Sequence, residues 1–271
     1  MTARRIGLVA WHVFKESVRD RVLYAIGVFA LLLVASSFLI GQITAGQDVK
    51  IIKDLGLATI ELAGVLMTVF IGVGLVAREI ERRSIHGLLA KPLPRWEFIV
   101  GKYLGLLLTI TVNVAAMAAA LYLMLAWMNW ESPLNIRRSW DAPATDVRLL
   151  ISVLLIYAEL ALLTAIALFF STFSSSALWS VVFTVGLFIA GLESEDLRNF
   201  GDIVDAPIMA RLVSAIGWVV PAFSAFDVKA QVVHGVHVPA AFVAHTLLYA
   251  LLYILVALGA AVVVFSRREF K

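Results

Sequence analysis

Residues 78–105 read REIERRSIHGLLAKPLPRWEFIVGKYLG. This is the one long polar interruption in the first half of the chain. It carries Arg78, Arg82, Arg83, Lys91, Arg95 and Lys102, six of the twenty-two Lys and Arg residues. Apolar runs long enough to cross a bilayer flank it at 57–77 and 103–127. A basic segment hung between two such runs is the pattern of a cytoplasmic loop, because positive residues stay on the inner side.

Composition agrees with that reading. The chain has 271 residues, 62% hydrophobic and 15% charged, with mean hydropathy +0.95. Soluble domains are about half apolar and about a quarter charged, so a multi-span membrane protein is expected. The net charge of +3 does not point to nucleic acid, since the basic residues collect at the ends of the apolar runs. There is no Cys, which excludes disulfides, thiolate metal sites and cysteine nucleophiles.

Working outward from the loop, the spacing predicts an all-α membrane protein with six transmembrane helices. They are placed at 22–41, 57–77, 103–127, 147–170, 177–192 and 240–265. Each run approaches the ~20 residues a helix needs to cross the hydrocarbon core. The run at 22–40 exceeds a signal-peptide core of ~7–15 residues, so it reads as an uncleaved first span. Before it, residues 3–21 form an amphipathic helix. Arg4, Arg5, His12, Lys15, Glu16 and Arg19 fall on one arc, with only Leu8 intruding, and Ile6, Val9, Ala10, Trp11, Val13, Phe14 and Val18 on the other. A basic face opposite an apolar face with Trp and Phe suits a helix lying among lipid headgroups; packing on a partner is the alternative.

The connections read as follows. Residues 42–56 are polar and turn-rich, 78–102 form the basic loop, and STFSSS at 171–176 is a tight turn. The polar loop at 128–146 bears Trp130 and Trp140, aromatics suited to the interface. Residues 193–239 form a long extramembrane segment. Within it, PIMARLVSAIGWVV at 207–220 is too short for a span and reads, with Pro221 and Asp227 beyond it, as two re-entrant half-helices on the outer side. Ala115/Ala119 and Ala116/Ala120 are small pairs at four-residue spacing that let helices approach.

Charge sets the orientation. With six spans both termini share a side, and that side collects fourteen Lys and Arg against eight on the other. Both termini and the 78–102 loop are therefore expected in the cytoplasm, in a chain integral to the cytoplasmic (inner) membrane.

Catalytic patterns are missing. Gly101-Lys102 lacks the upstream Gly and the Ser/Thr of a nucleotide phosphate loop, and neither His-Glu-x-x-His nor Gly-x-Ser-x-Gly occurs. The chain is not expected to be an enzyme. His234 and His237 sit in a Gly-containing loop and fall short of the three or four ligands a metal site needs, so no metal is expected. Polar groups at bilayer depth are costly and mark either a pathway or a satisfied pair. Glu159 is mid-span and a candidate for a translocation path. Asn113 reads as inter-helix glue, Glu61 as interfacial, and all three stay candidates for such a path.

The loop itself has a mixed chemistry. Glu79 is spaced to pair with Arg82 or Arg83 on a helix surface. Ile80, Ile85, Leu88 and Leu89 share no single face, which suits a short helix touched on two sides, and Pro92 and Pro94 end it. This stretch closely resembles the cytoplasmic coupling region of type-2 ABC exporter permeases. The branch it is most similar to is grouped with multicopper-enzyme maturation permeases, including the permease of the nitrous oxide reductase maturation system. The matching positions are Glu79, Glu81, Arg82, Arg83, Leu88, Leu89, Pro92, Arg95, Glu97, Gly101, Lys102 and Gly105. Ser84 stands where Thr is commoner, keeping the hydroxyl, and Pro94 where Ser is commoner. PAFSAFDVKAQVVHG at 221–235 and FSRREF at 265–270 resemble the same branch.

What the resemblance implies is a single permease domain over 1–271 without a cofactor of its own. ATP and Mg would sit on a partner ABC ATPase, present in two copies, with a second permease copy or homologue beside this chain. Glu79, Glu81, Arg82, Arg83, Ser84, Leu88, Leu89, Pro92, Arg95 and Lys102 would couple the ATPase to the spans. Membrane lipid and an outer-side accessory protein are further partners; nucleic acid is not. Two rival classes make other predictions. A proton-coupled secondary carrier using Glu159 would need no ATPase, and a non-transporting anchor would be indifferent to both Glu159 and the loop.

Overall fold

The computed structural model describes residues 2–43, 48–81, 94–137, 140, 142–174, 176–199 and 207–267. Among the described residues all regular structure is helical. In chain order the helices are α1 Thr2–Ser17, α2 Arg21–Ile43, α3 Asp48–Glu81, α4 Arg95–Glu131, α5 Leu134–Arg137, α6 Leu149–Phe173 and α7 Ala177–Leu192. They continue as α8 Ser194–Arg198, α9 Pro207–Val219, a 3₁₀ turn at Phe223–Phe226, α10 Lys229–Val233 and α11 Ala240–Arg267. The Asp20 carboxylate accepts the Val22 N–H at 2.9 Å, which closes the break between α1 and α2.

The six expected spans correspond to α2, α3, α4, α6, α7 and α11. Four of these, α3, α4, α6 and α11, are long and apolar enough by themselves to cross a membrane. α7 is apolar but has only 16 residues, about 24 Å of helix, short of the hydrocarbon thickness. The outer segment contains a bent pair, Val213–Val219 and Phe223–Val233, meeting at 41°. Pro221 stands at the break, and the pair has the form either of a broken span or of a re-entrant loop.

Several expected boundaries shift: α1, expected to 21, ends at Ser17, and α6, expected from 147, begins at Leu149, while elsewhere helix continues into polar sequence. α3 begins at Asp48, inside the segment read as turns, and carries Lys53 at 0% exposure. Its ammonium donates to the Pro143 carbonyl at 2.7 Å, and such a bond is what makes a buried amine tolerable. At the other end of the bundle, Ser171, Thr172 and Phe173 belong to α6, so helix takes up the first half of the expected 171–176 turn. Ser171 and Thr172 donate back to the Leu168 and Phe169 carbonyls at 2.8 and 2.7 Å, hiding their hydroxyls inside the helix. The expected 78–102 loop is likewise narrowed from both ends, since α3 runs to Glu81 and α4 starts at Arg95.

α6 is the central post. Apart from Glu159 it has no charged residue, and a helix apolar on every side belongs inside. Leu160, Leu162, Leu163, Thr164, Ala165, Ala167 and Leu168 are fully buried. α11, α3, α4 and α7 surround it. Of the alanine pairs, Ala115, Ala116 and Ala119 are exposed on α4, Ala116 beside the groove that α4 forms with α2. Close approach is instead made by glycine, at Gly64 against Leu160 and at Gly101 and Gly105 against α1.

Candidate functional site

The first three turns of α4 receive the chain as it leaves the basic stretch, and other helices grip them on two sides. On one side lies α1. Arg5 faces Glu97, Val9 faces Gly101 and Val13 faces Gly105, three contacts at a constant offset of 92 residues. A constant offset means that α1 runs alongside α4 in the same direction. A side chain at Gly105 would come within 2.6 Å of the Ala10 carbonyl oxygen, and one at Gly101 within 2.7 Å of Val9 Cβ. Only glycine at both positions, four residues apart, lets the two backbones come this close.

The other side is held by the end of α11. The Arg95 guanidinium donates from Nη1 to the carbonyls of Phe265, at 3.2 Å, and Ser266. The Phe98 and Phe265 rings stack with centroids 5.8 Å apart, and the Lys102 ammonium lies 4.6 Å from the Phe98 ring centroid. Ile99 and Tyr103 complete a cluster with Ala165, Leu168, Ala261 and Phe265, so α4, α6 and α11 share one core at this end.

Lys102 is therefore an interior residue, 2% exposed, and not part of a solvated loop surface. Glu97 is equally buried, and its Oε2 has no hydrogen-bond partner among the described residues; the Arg5 guanidinium at 4.0 Å supplies the opposite charge. α1 spends part of its apolar arc on α4, with Val13 and Ser17 buried, and leaves Leu8 and Trp11 exposed. Glu79 and Glu81 lie in the last turn of α3. Arg82, Arg83, Ser84, Leu88, Leu89 and Pro92 lie outside the described residues.

A second polar site lies between α3, α6 and the start of α10. The Lys229 ammonium donates to Glu61 Oε2 and is 3.5 Å from Asp227 Oδ2. Asp227 Oδ1 also accepts the Lys229 backbone N–H at 3.0 Å, fixing the start of α10. Glu159 is buried, its Oε1 has no hydrogen-bond partner, and its charged neighbours are Glu61, Lys229 and Asp227. Two of the three candidate path residues thus meet around one lysine. Asn113 does not join them. Its amide donates to the Thr109 carbonyl of its own helix at 2.8 Å, and it lines a groove of about 240 Å³ between α2 and α4, opposite Gly27.

The resemblance marked Glu97, Gly101 and Gly105 as matching positions, but their contacts with α1, and the part played by Arg5 and Lys229, went unread in the sequence. Gly101-x-x-x-Gly105 has the same small-residue spacing as the alanine pairs, and that spacing was the available signal for the α1 seat. Lys229 was legible only as a lone cation in an apolar stretch, and nothing in the sequence pairs it with Glu61 168 residues away. The Arg5–Glu97 pair gave no local signal either.

A family profile described as ABC-2 family transporter protein matches residues 8–192. The match runs from within α1 through α7; it takes in Val9, Val13 and the α4 base but not Arg5 or α11, and it includes Glu61, Asn113 and Glu159. No curated protein matches the chain. With a base built for close helix contact, apolar helices of membrane-crossing length and a profile match over most of its length, the chain is an integral membrane protein that belongs to the ABC-2 transporter family.

Proposed function

We propose that this chain is the six-span permease subunit of an ATP-driven ABC transporter, of the branch that resembles multicopper-enzyme and nitrous oxide reductase maturation permeases. It works in the cytoplasmic membrane with both termini inside. Two copies of an ABC ATPase bind below, and a second permease copy or homologue stands beside it. The observation that carries this reading is the family match across residues 8–192, with the basic stretch inside it.

In this mechanism ATP binding draws the two ATPases together, and a coupling helix around residues 79–91 passes the movement upward. Glu79, Glu81, Arg82, Arg83, Ser84, Leu88, Leu89 and Pro92 form the docking surface. Arg95 and Lys102 act behind it, within the permease, since both are engaged by α4 and α11 side chains or carbonyls. Nucleotide thereby biases a two-state membrane element. The output is export of cargo between permease halves, or motion handed to an outer-side accessory protein. In this reading α1 is the interfacial helix, with Trp11 exposed to meet lipid, and the bent pair dips into the outer leaflet.

The test is purification of the tagged chain in lipid, with identification of what accompanies it. An ABC ATPase whose hydrolysis changes on reconstitution supports the reading; its repeated absence from an active complex defeats it. Glu81→Lys combined with Arg83→Glu should release the ATPase or uncouple its turnover, and unchanged assembly and turnover count against docking here.

One observation favours a second reading. A buried carboxyl, Glu159, sits beside Lys229 and Glu61, the kind of group a proton-coupled carrier uses. Under that reading activity would follow an imposed proton gradient with no ATPase present, and Glu159→Gln would abolish it.

A further inference from the structure

We infer that Arg95 is the positioning residue through which movement of the 82–93 stretch reaches α11, and through α11 the outer segment. This rests on the proposed reading that the ATPase moves that stretch. The chain enters α4 at Pro94, whose φ of −57° and ψ of 135° set the approach, and no side chain caps the helix there. Arg95 is thus the first helical residue to feel a displacement of the preceding segment.

Its guanidinium is not turned toward its own helix. It donates to the carbonyls of Phe265 and Ser266, in the last turn of α11. The last carbonyls of a helix have no intrahelical donor, and the helix dipole concentrates negative charge there. A guanidinium satisfies both needs and carries several N–H groups on one rigid plane, which a lysine ammonium lacks. The contact is braced. Phe98 stacks on Phe265 one turn further along α4, and Ile99 and Tyr103 pack against Ala261 and Phe265. Rotation or translation of the first turn of α4 must therefore carry the end of α11 with it or break these contacts.

α11 is suited to relay that movement. Its 28 residues make a rod about 42 Å long, enough to span the bilayer. At its far end, Ala240 follows a segment held down by two long-range polar contacts. Lys229 donates to Glu61 of α3, and Arg148 donates to the Gly235 carbonyl. A pull at Phe265 and Ser266 is thereby delivered to the Asp227–Gly235 region and its contacts with α3 and α6.

The chain contains no Cys, so Ser266→Cys places a single thiol at the exposed end of α11. The full chain with its ATPase, reconstituted in lipid, is treated with a polyethylene-glycol maleimide, and the shift of the permease band is timed. Rates are compared without nucleotide and with Mg and a non-hydrolysable ATP analogue. The expected result is a nucleotide-dependent rate in the Ser266→Cys parent. With Arg95→Ala added, the ATPase stays bound and the ratio of rates falls to about one; Arg95→Lys keeps a reduced response. Where Arg95→Ala does not accumulate, Arg95→Gln is read in its place with the same expectation. An unchanged nucleotide response in the alanine or glutamine variant overturns the inference. So does a parent whose ATPase binds and hydrolyses while labelling of the introduced thiol ignores nucleotide, a result that leaves the docking reading standing. If no ATPase accompanies the chain, both fall together.

Discussion

The Arg5 guanidinium lies 4.0 Å from a Glu97 carboxylate that is only 3% exposed, whereas the Arg5 side chain is 43% exposed. A buried charge on a membrane helix is thus balanced by a cation on a separate, mostly surface helix, and the balance depends on α1 staying seated on α4. An ion pair with one exposed partner is a weak contact in itself, but leaving the buried partner alone is expensive. Arg5→Ala strands the buried Glu97 carboxylate and is expected to cost about 3–5 kcal/mol, with α1 still held by its seat on Gly101 and Gly105, while Glu97→Lys should lift α1 off α4. Hydrogen exchange of the α1 amides in lipid reads the difference: the alanine variant retains protection and the lysine variant loses it.

The seat itself makes a sharper prediction. Gly105→Ala forces a methyl against the Ala10 carbonyl, and Gly101→Ala forces one against Val9. Each should destabilise the protein by about 1–3 kcal/mol through overpacking. Gly186 and Gly259 have open space at the corresponding position, so Gly186→Ala and Gly259→Ala should be neutral or gain up to about 1 kcal/mol in helix propensity. Thermal unfolding of the four variants in one detergent checks this, and equal melting temperatures across the set would refute it.

Among the described residues, Lys229 is the lone cation between Glu61, Asp227 and Glu159 in the outer cluster. Lys229→Met should destabilise by about 3–5 kcal/mol, because it strands carboxylates in a partly buried site. Lys229→Met with Glu61→Gln should recover a good part of that loss. A double-mutant cycle on unfolding is expected to give a coupling of at least about 1 kcal/mol. Additive effects of the two substitutions would mean that the pair is not an energetic unit.

Glu159→Gln separates the two functional readings. The substitution keeps shape and hydrogen-bonding groups while removing the charge, so the fold should survive with unchanged or raised stability. For a nucleotide-driven permease, ATP turnover of the reconstituted complex should stay within about threefold of the parent, well under the tenfold that about 1.4 kcal/mol of barrier would produce. A loss beyond tenfold, with the complex intact, would make Glu159 part of the working cycle.

The membrane class, the order of the apolar segments, the amphipathic N-terminal helix and the special character of residues 78–105 follow from the sequence alone. These features depend on local sums: apolar run length against bilayer thickness, charge against leaflet side, and period against helix geometry. Helix ends were harder to read, because Ser171, Thr172 and Lys53 look like polar breaks until their donors find carbonyls. Only the tertiary structure decided that α1 lies along α4, that Arg95 reaches Phe265 and Ser266, and that Lys229 meets Glu61. Those contacts join residues from about 90 to about 170 positions apart. In a bilayer, where lipid is as apolar as the helices, such pairs are chosen by shape and by partner-seeking polar groups. That choice is a property of the packed helices together, and no window of sequence contains it.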